Sequence, residues 1–477
     1  GRVTPPKPRL VILGAGPAGV GAAWKLAGRD AARVTVLEQQ GRPGGNAGSF
    51  EFSGMRVDFG SHRLHPATAP EIMADIRSLL GSDLLDRPRH GRIGLRGKWI
   101  HFPLKPADLL LRLDRRFALG TFRDMLAKPF RRPPVGDSFA EVLLTNLGPT
   151  ICESFYFPYA LKIWGRPPEQ LSAIQARRRV SAGTFTKLAR KVLSQLPGLK
   201  PKGSGRFFYP RRGYGQICEA YADAAVAAGA EIRYGHRVAA VLPPAGPADP
   251  WIVEAETDGG PVRVEADHLW STLPVTLLAR LLGDAAPAAV HEAASKLEYR
   301  AMILVYLALP VSRFTEFDAH YFPGRDIRIT RLSEPKNYAD LDTPAGRTVL
   351  CAELPCSPYD PWWNMDDAGL GALVSADLAA AGVPLPAAPV AVHVRKLRQA
   401  YPVYRTGYER WFRVLDDWVE GIPRLLSYGR QGLFAHDNTH HALAMAYAAA
   451  DCLDGDRFDA ARWAEHRQVF ETHVVED

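Results

Sequence analysis

The residues with the clearest chemical use are the glycines of the segment Gly14-Ala15-Gly16-Pro17-Ala18-Gly19. An apolar run at 10–13 precedes them and a helical pattern follows to about residue 27, which predicts a strand–turn–helix. In that setting Gly14 permits a tight turn, Gly16 lets the backbone approach a pyrophosphate, and Gly19 lets the helix pack on the strand. The helix N-terminus would stabilise the phosphates. We therefore expect dinucleotide contacts from Gly14, Gly16, Pro17, Ala18 and Gly19.

An acidic residue follows at the spacing that such a motif requires. A second β-branched run, 34–37, ends at Glu38, whose carboxylate can accept both hydroxyls of a ribose and disfavours a 2′-phosphate. Gln39 would lie beside it. The glycine motif alone does not separate NAD from FAD.

A second glycine pair, Gly44-Gly45, comes soon after the acidic residue and is preceded by Arg42. Its backbone can lie along an extended dinucleotide, with Arg42 near the phosphates. This continuation favours FAD.

Four separated segments resemble, in the right order, motifs of one flavoprotein superfamily. Residues 54–63 are similar to its "G-hydrophobic-D-hydrophobic-G-x-H" segment, and 157–165 to its "Y-x-x-K-x-W-G" segment. Residues 331–337 are similar to "R-x-x-E-x-K", and 429–442 to the closing flavin-binding motif. The chain thus resembles the FAD-dependent amine oxidase superfamily, and within it the UDP-galactopyranose mutase-like and protoporphyrinogen oxidase-like flavoproteins.

The resemblance implies an α/β fold in which a Rossmann-like, glutathione-reductase type FAD-binding domain is interleaved with an α+β substrate domain. The FAD-binding parts are expected at 8–90, 207–282 and 402–453, the substrate parts at 91–206 (mainly helical) and 283–401 (sheet and helices), and a C-terminal helix or tail at 454–477.

The same resemblance implies further contacts with non-covalently bound FAD. They are Gly60, Ser61, His62, Val238, Thr272, Gly429, Phe434, His441 and Ala442.

Chemistry is expected to come mainly from the flavin, because no Ser-His-Asp spacing is legible. The resemblance places His62 beside the isoalloxazine, although a plain hydrogen-bonding role in its loop stays open. Arg300, at the start of an apolar strand, would point toward the flavin cavity or into solvent. Lys336 is a catalytic candidate by its motif. Tyr159, Trp164 and Arg331 are expected to line the substrate pocket, with core packing as the alternative for the two aromatic residues.

The net charge of +8 comes from one stretch. Between Glu169 and Glu219 there are eleven basic residues and no acidic one. A solvated face is one interpretation, and a surface for an anionic substrate such as a diphosphate is the other. Neighbouring helical residues lie about 100° apart, so only one of three consecutive arginines, Arg178 or Arg179, should point inward. Nucleic acid is not expected, since no recognised module accompanies the charge.

A second basic stretch, 104–132, carries apolar residues at roughly helical spacing among arginines. Packing on its own domain and peripheral membrane contact both stay open.

Composition and cysteine usage fit a globular enzyme. The chain has 477 residues, 47% of them hydrophobic and 23% charged, which allows two domains and a large core. Its five scattered cysteines indicate free thiols in a reducing cytoplasm. No metal site is expected, because the adjacent histidines 440 and 441 would rarely face one ion.

The closing segment 434–437 lacks the tyrosine that the mutases carry there. This departure favours net oxidation over isomerisation. We therefore expect an FAD-dependent oxidoreductase that acts on a sugar-containing or other anionic biosynthetic intermediate, by hydride transfer to flavin N5. The alternatives are a redox-neutral mutase using reduced flavin, a desaturase or porphyrinogen-type oxidase on a large hydrophobic substrate, and a flavoprotein that binds a partner enzyme. The oligomeric state stays open.

Overall fold

The computed structural model describes residues 6–95, 97–102, 112, 114–133, 135–178 and 205–475, and the backbone of residue 179. Its strands are β1 (Arg9–Leu13), β2 (Arg33–Leu37), β3 (Ser49–Phe52), β4 (Met55–Asp58), β5 (Leu84–Pro88), β6 (Gly91–Leu95), β7 (Lys98–Phe102), β8 (Arg206–Pro210), β9 (Glu231–Arg233), β10 (Arg237–Leu242), β11 (Trp251–Thr257), β12 (Gly260–Ala266), β13 (His268–Ser271), β14 (Glu298–Leu309), β15 (Ala319–Tyr321), β16 (Arg331–Ser333), β17 (Thr348–Cys356), β18 (Ala391–Val403), β19 (Leu425–Ser427), β20 (Leu453–Asp454) and β21 (Arg457–Phe458).

The described helices alternate with these strands in the outer parts of the chain and cluster in its middle. They are α1 (Pro17–Gly28), α2 (Pro70–Leu80), α3 (Arg115–Ala127), α4 (Phe139–Leu147), α5 (Pro149–Ile151), α6 (Phe157–Trp164), α7 (Ala173–Arg179), α8 (Gln216–Ala227), α9 (Val275–Leu281), α10 (Ala288–Lys296), α11 (Pro335–Tyr338), α12 (Asp367–Ala380), α13 (Tyr408–Glu420), α14 (Gly429–Gly432), α15 (Thr439–Cys452) and α16 (Ala460–Phe470).

A parallel sheet holds the dinucleotide motif. Its strand order is β19-β13-β1-β2-β9, and its strands come from three distant parts of the sequence. Strand β1 is apolar because both faces of a parallel sheet are covered, here with helix α1 packed between α8 and α15 on one side. This sheet confirms the expected Rossmann-like fold.

The chain passes from one sheet to another at Asp267. The run 264–273 is divided at Asp267 into β12, in a small antiparallel sheet, and β13, in the parallel sheet. Asp267 accepts hydrogen bonds from the backbone and side chain of Arg9, at 2.7 Å and 3.0–3.2 Å. These bonds fix the point at which the chain passes from one sheet to the other.

The second large sheet has the order β18-β14-β17-β16-β15-β6-β7 and is antiparallel except between β6 and β15. Strand β14 is its centre, and residues 301–309 are all buried. Strands β4, β16 and β17 approach one another where this sheet meets the dinucleotide-binding part.

Helices α3 to α7 lie in the middle of the chain, and α3 is formed by part of the stretch 104–132. Asp114 caps this helix, because its carboxylate accepts a hydrogen bond of 2.7 Å from the amide of Phe117. Residues 103–111 and 113 lie outside the described residues. Among the described helices, none is both long and apolar enough to span a bilayer.

His320, on β15, is buried in an aromatic environment. Its ring lies 5.5 Å from Trp99, 5.7 Å from Phe317 and 6.5 Å from Phe322, between ring centroids. Burial, assisted by the charge of Arg92, lowers the pKa of His320 to about 3. In the unfolded chain the His320 side chain therefore takes up a proton near pH 6.5, whereas in the folded chain it stays neutral at that pH.

We expect the free energy of unfolding to fall as pH drops from 6.5, and His320→Phe to reduce that loss. The stability due to the neutral ring is complete above pH 6.5 and falls by about 2 kcal/mol by about pH 5. Urea midpoints of the flavin-bound protein at about pH 7 and pH 5 measure the effect. His236→Gln, in a surface loop, is the control. Equal pH dependence in wild type and His320→Phe would contradict the prediction.

Candidate active site

The turn between β1 and α1 is closed by backbone contacts that only glycine allows. Gly14 has a φ of +98° and its amide donates to the carbonyl of Leu37 at 2.9 Å. A Cβ at Gly14 would clash with the hydroxyl of Thr272, and one at Gly19 would clash with the carbonyl of Gly14. Thr272 donates from its hydroxyl to the carbonyl of Leu13 at 2.6 Å, so it is a packing partner of the turn.

The N-terminus of α1 fits a pyrophosphate. Gly16 is the N-cap and makes no side-chain cap, and Pro17 occupies the first turn, so the first amides of the helix are left for an external acceptor. Gly44 and Gly45 lie opposite, with Gly44 donating to the carbonyl of Ala15 at 2.8 Å. A Cβ on Gly16 would have one neighbour within 4 Å, the carbonyl of Gly44 at 3.9 Å, which leaves an open cradle.

Glu38 is buried at the end of β2, with its carboxylate accepting from the amides of Ala15 at 3.0 Å and Gln40 at 2.8 Å. Each carboxylate oxygen can accept a further bond, which suits the ribose hydroxyls. Gln39 is exposed beside it, and Val238, partly buried, follows on β10.

The side chain of Arg42 contacts both the glycine pair and Phe59, in the next segment of the site. Its Nη1 donates to the carbonyls of Pro43 at 3.1 Å and Gly45 at 3.3 Å, and its guanidinium lies 4.3 Å from the ring centroid of Phe59. Burial lowers the pKa of Arg42 and the nearby charge of Arg395 lowers it further, although Glu38 opposes them.

Asp58 is the anchor of the segment that follows β4. Its carboxylate accepts from the hydroxyl of Ser49 at 2.6 Å, the amide of Tyr214 at 2.9 Å and the hydroxyl of Tyr209. Burial raises the pKa of Asp58, and these donors and His62 act against that rise.

The ring of His62, which lies near Asp58, is held in one orientation by two contacts. Its Nε2 donates to the carbonyl of Phe59 at 2.8 Å, and its ring stacks on Tyr214 with centroids 5.2 Å apart. Because a carbonyl can only accept, the neutral ring carries its proton on Nε2, and Nδ1 is the acceptor. Burial lowers the pKa of His62, although Asp58 opposes the shift.

Gly60 and Ser61 are positioned by a buried ion pair. Glu353 on β17 accepts from Nη2 of Arg331 at 2.8 Å and from the amide of Ser61 at 3.3 Å. Arg331 also donates to the carbonyl of Ser61 at 3.5 Å. Gly60 has a φ of +86°, and a Cβ there would lie 3.4 Å from the Glu353 carboxylate. Arg331, a predicted substrate residue, thus lies against the segment expected to pass the flavin.

Arg63 forms a second buried ion pair, with Asp318 at 3.0 Å. It also donates to the hydroxyl of Tyr321 at 3.1 Å, and its guanidinium lies 4.7 Å from the ring centroid of Tyr338. The hydroxyls of Tyr338 and Ser61 share a hydrogen bond. The segment 59–63 is therefore fixed from several directions.

The closing segment packs onto the start of α1. A Cβ on Gly429, where φ is +84°, would lie 2.9 Å from the Cβ of Ala18, and the hydroxyl of Tyr428 donates to the carbonyl of Ala18 at 2.9 Å. Phe434 is buried in an aromatic cluster, with its ring 5.3 Å from Tyr299 and 5.7 Å from Tyr404. A direct flavin contact by the Phe434 side chain is not favoured by this placement.

His441 and Ala442 lie in the first turn of α15, where they are buried. Nδ1 of His441 accepts from the amide of Asn438 at 3.0 Å as part of a capping box. Burial lowers the pKa of His441 to about 4, so the ring is neutral at neutral pH.

Of the two arginines in this run whose side chains are described, Arg178 is the one that points inward. Its Nη1 lies 3.5 Å from Asp437, whose other oxygen accepts from Nδ1 of His473 at 2.9 Å. Arg177 is exposed, 3.9 Å from Asp137. The side chain of Arg179, and residues 180–204 of the basic stretch, lie outside the described residues.

Asp437, His441 and His473 have ligand atoms within 4.8 Å of one another, close enough for a metal ion. The capping bond argues against such a site. Since Nδ1 of neutral His441 accepts a hydrogen bond from the amide of Asn438, Nε2 carries the ring hydrogen and offers no lone pair. Asp437 is already bonded to Arg178 and His473.

Helix α6 carries the two predicted aromatic residues. Trp164 is buried, with its ring 5.9 Å from Phe139 and 6.3 Å from His436, and Tyr159 is partly buried near Phe155. Arg300 donates to the carbonyls of Ile163 and Lys162, both at 3.1 Å, and so closes the C-terminal end of this helix.

Lys336 is 1% exposed, and its ammonium donates to three backbone carbonyls. These belong to Ser312 at 2.8 Å, Pro344 at 2.6 Å and Arg347 at 2.9 Å. All three donors are used, so the motif lysine joins loops in this structure and is not placed to move a proton.

Three residues of the site are not identified by the sequence analysis. They are Glu353, Arg63 and Arg395, the last with its guanidinium 4.5 Å from the ring of Phe50 and 5.8 Å from that of Phe59. Arg63 directly follows a motif residue, which is a signal in the sequence. Glu353 and Arg395 meet the motif only through the register of the second sheet, for which the sequence has no local signal.

Comparison with known proteins places this geometry in a family. Residues 17–442 match the model of the flavin containing amine oxidoreductases. The phytoene dehydrogenase of Streptomyces griseus is 40% identical over 82 residues, which span 17% of this chain and 15% of that relative.

Solved structures share the fold across nearly the whole chain. A reduced UDP-galactopyranose mutase superposes with a TM-score of 0.80 at 21% identity, covering 98% of this chain and 100% of the other. A putative protoporphyrinogen oxidase from Exiguobacterium sp. 255-15 gives 0.70 at 20% identity, covering 93% and 98%. The family match and the cradle at α1 together confirm FAD as the cofactor, and the chain belongs to the flavin-containing amine oxidoreductase family.

Proposed function

We propose that this chain oxidises a sugar-containing or other anionic biosynthetic intermediate, with hydride transfer to flavin N5. The observation that carries the proposal is unbalanced positive charge beside residues 59–63. FAD, when bound, supplies the electron acceptor, and the chain has to bind and orient the donor.

Four arginines surround this segment, and two of them have carboxylate partners. Arg63 pairs with Asp318 and Arg331 with Glu353. Arg42 and Arg395 approach the ring of Phe59, at 4.3 Å and 5.8 Å respectively.

Neither of these last two arginines is hydrogen-bonded to a carboxylate within the described ranges. Arg42 donates to carbonyls, and Nε of Arg395 is buried with no hydrogen-bond partner. Two like charges held together favour an anion between or beside them. The pyrophosphate of FAD would balance Arg42, which leaves Arg395 and the outer face of Arg331 for a phosphate-bearing substrate.

His62 is the proposed proton acceptor. Its ring is oriented by Tyr214 and by the Phe59 carbonyl, so that Nδ1 can take a proton from the donor as the hydride leaves. Burial favours the neutral ring that this role needs. Tyr159 is proposed as a substrate contact, with Trp164 and Arg300 supporting its helix and Lys336 holding the loops behind Arg331.

A redox-neutral mutase is the second candidate, favoured by the fold shared with the reduced UDP-galactopyranose mutase. A large hydrophobic substrate is the third. The apolar side chains exposed on α3 favour it, because they would let the enzyme meet such a substrate at a membrane.

Glu38→Gln should weaken FAD retention by about 1.5–3 kcal/mol while leaving the fold intact. The reason is that the ribose hydroxyls lose a charged acceptor, although the amide oxygen keeps one backbone bond. Equilibrium dialysis of FAD against the apoprotein measures the loss, with circular dichroism for the fold. Glu231→Gln, exposed on the neighbouring strand β9, is the matched control. Unchanged FAD affinity in Glu38→Gln would show that the carboxylate does not hold the ribose.

Arg395→Gln should weaken the binding of a sugar nucleotide to oxidised holoenzyme by about tenfold to a hundredfold. The substitution removes a charge that has no carboxylate partner, so the protein should keep its stability. Titrations of UDP-sugars followed by the flavin absorbance measure it, with the uncharged sugar as comparison ligand. Arg398→Gln, exposed on the same strand, is the control. If no phosphate-bearing ligand perturbs the flavin in wild type, the anionic substrate is excluded.

A net oxidation consumes an electron acceptor, whereas an isomerisation consumes none. We expect turnover from oxidised flavin with about one equivalent of acceptor consumed per product. Stopped-flow reduction under anaerobic conditions, followed by reoxidation, measures both quantities for any sugar nucleotide that binds. Pyranose–furanose interconversion by dithionite-reduced enzyme, with no acceptor consumed, would establish the mutase and overturn the oxidation.

A further inference from the structure

Helix α3 exposes an apolar face to solvent. Leu119, Phe122 and Leu126 are 70%, 54% and 59% exposed, and their spacing of three and four residues puts them on one side of the helix. Met125, 43% exposed, extends this side. We call these four residues the apolar face of α3.

The opposite side of α3 attaches the helix to the protein. Phe117 is buried against the apolar side chains of Ile93 and Ile100. The buried carboxylate of Asp124 accepts from the amide of Thr150 at 2.8 Å. Because the helix is held by these contacts, its apolar face is not a core surface that a small rotation would bury.

Basic side chains flank the apolar face. Arg115, Arg116 and Arg123 are exposed on the helix, and Arg132 is exposed shortly after it, as is Phe130 at 87%. Arg123 is partly offset, because its Nη2 lies 3.6 Å from the carboxylate of Asp124. Asp114 caps the helix N-terminus and Asp124 faces inward.

We propose that the apolar face of α3 and its flanking arginines bind the surface of a bilayer that contains anionic phospholipid. Exposed Leu and Phe beside arginines are the composition that inserts into the headgroup region and attracts acidic lipid. A symmetric contact with a second copy would bring the arginines of both copies together, which like-charge repulsion opposes. The proposal concerns where the enzyme docks and is independent of its substrate.

Cosedimentation of the flavin-bound protein with vesicles tests the proposal. Vesicles of phosphatidylcholine with about 30 mol% phosphatidylglycerol should bind it, and vesicles of phosphatidylcholine alone should bind at least about fivefold less. Binding should weaken when NaCl is raised from about 0.1 M to about 0.5 M. Leu119→Ser/Phe122→Ser and Arg116→Gln/Arg123→Gln should each lower the bound fraction about fivefold or more.

Matched variants elsewhere on the surface control for general effects. Val226→Ser/Val469→Ser removes valines that are 52% and 57% exposed, and Arg237→Gln/Arg263→Gln removes exposed arginines. Neither should change vesicle binding. All variants should keep the flavin spectrum and the sugar-nucleotide titration of wild type, so a failure of docking is distinguished from a failure of the proposed function.

Three results would overturn the proposal. The first is the absence of binding to the anionic vesicles, and the second is an equal loss of binding in the control variants. The third is a concentration-dependent dimer, seen by analytical ultracentrifugation without lipid, that Leu119→Ser/Phe122→Ser abolishes, because the apolar face would then belong to a second copy of the chain.

Discussion

The buried carboxylate of Asp58 joins parts of the chain that are far apart in sequence. The carboxylate accepts hydrogen bonds from the hydroxyls of Ser49 and Tyr209 and from the backbone amide of Tyr214. The backbone carbonyl of Asp58 accepts a further hydrogen bond from the hydroxyl of Tyr306, on the central strand of the second sheet. A buried polar group without partners is costly, so these segments have to stay assembled together. Residues 59–63, which follow Asp58 in the chain, are positioned by these contacts. Strands β3 and β8, the loop at Tyr214 and the central strand of the second sheet therefore contribute to one fixed starting point for the site.

Beyond Asp58, the site is held by ion pairs whose carboxylates are buried. Arg331 with Glu353, and Arg63 with Asp318, each cancel a charge that would otherwise be expensive to bury. Their carboxylates also bond backbone amides, those of Ser61 and His90, so they fix loops as well as charges. The positive charge that no carboxylate compensates within the described ranges lies on Arg42 and Arg395. This distribution of paired and unpaired charge is the basis on which an anionic substrate is proposed.

The sequence predicts well what depends on neighbours along the chain. The turn at Gly14 and the carboxylate at Glu38 are recognisable because strand, turn and helix occur within one continuous segment. A motif also predicts that Lys336 matters, but not where its side chain points, and three carbonyls from loops distant in sequence decide that. Arg395 carries no local signal, because its place beside Phe59 follows from the register of β18 on β14. Long-range pairing is the information that a single sequence lacks.

The arginine run at the end of α7 shows how helical geometry and charge pairing together limit function. Among the described side chains of this run, Arg178 points inward and Arg177 is exposed, which agrees with the angle of about 100° between neighbouring helical residues. Arg178 meets Asp437, which is fully buried and also bonded to His473. An anionic substrate that took Arg178 away would leave a buried carboxylate with reduced compensation, at a cost of several kcal/mol. Arg178 is thus better suited to hold the closing loop at Asp437 against α7. The proposed recognition of an anionic substrate rests instead on Arg395, which has no carboxylate partner among the described residues.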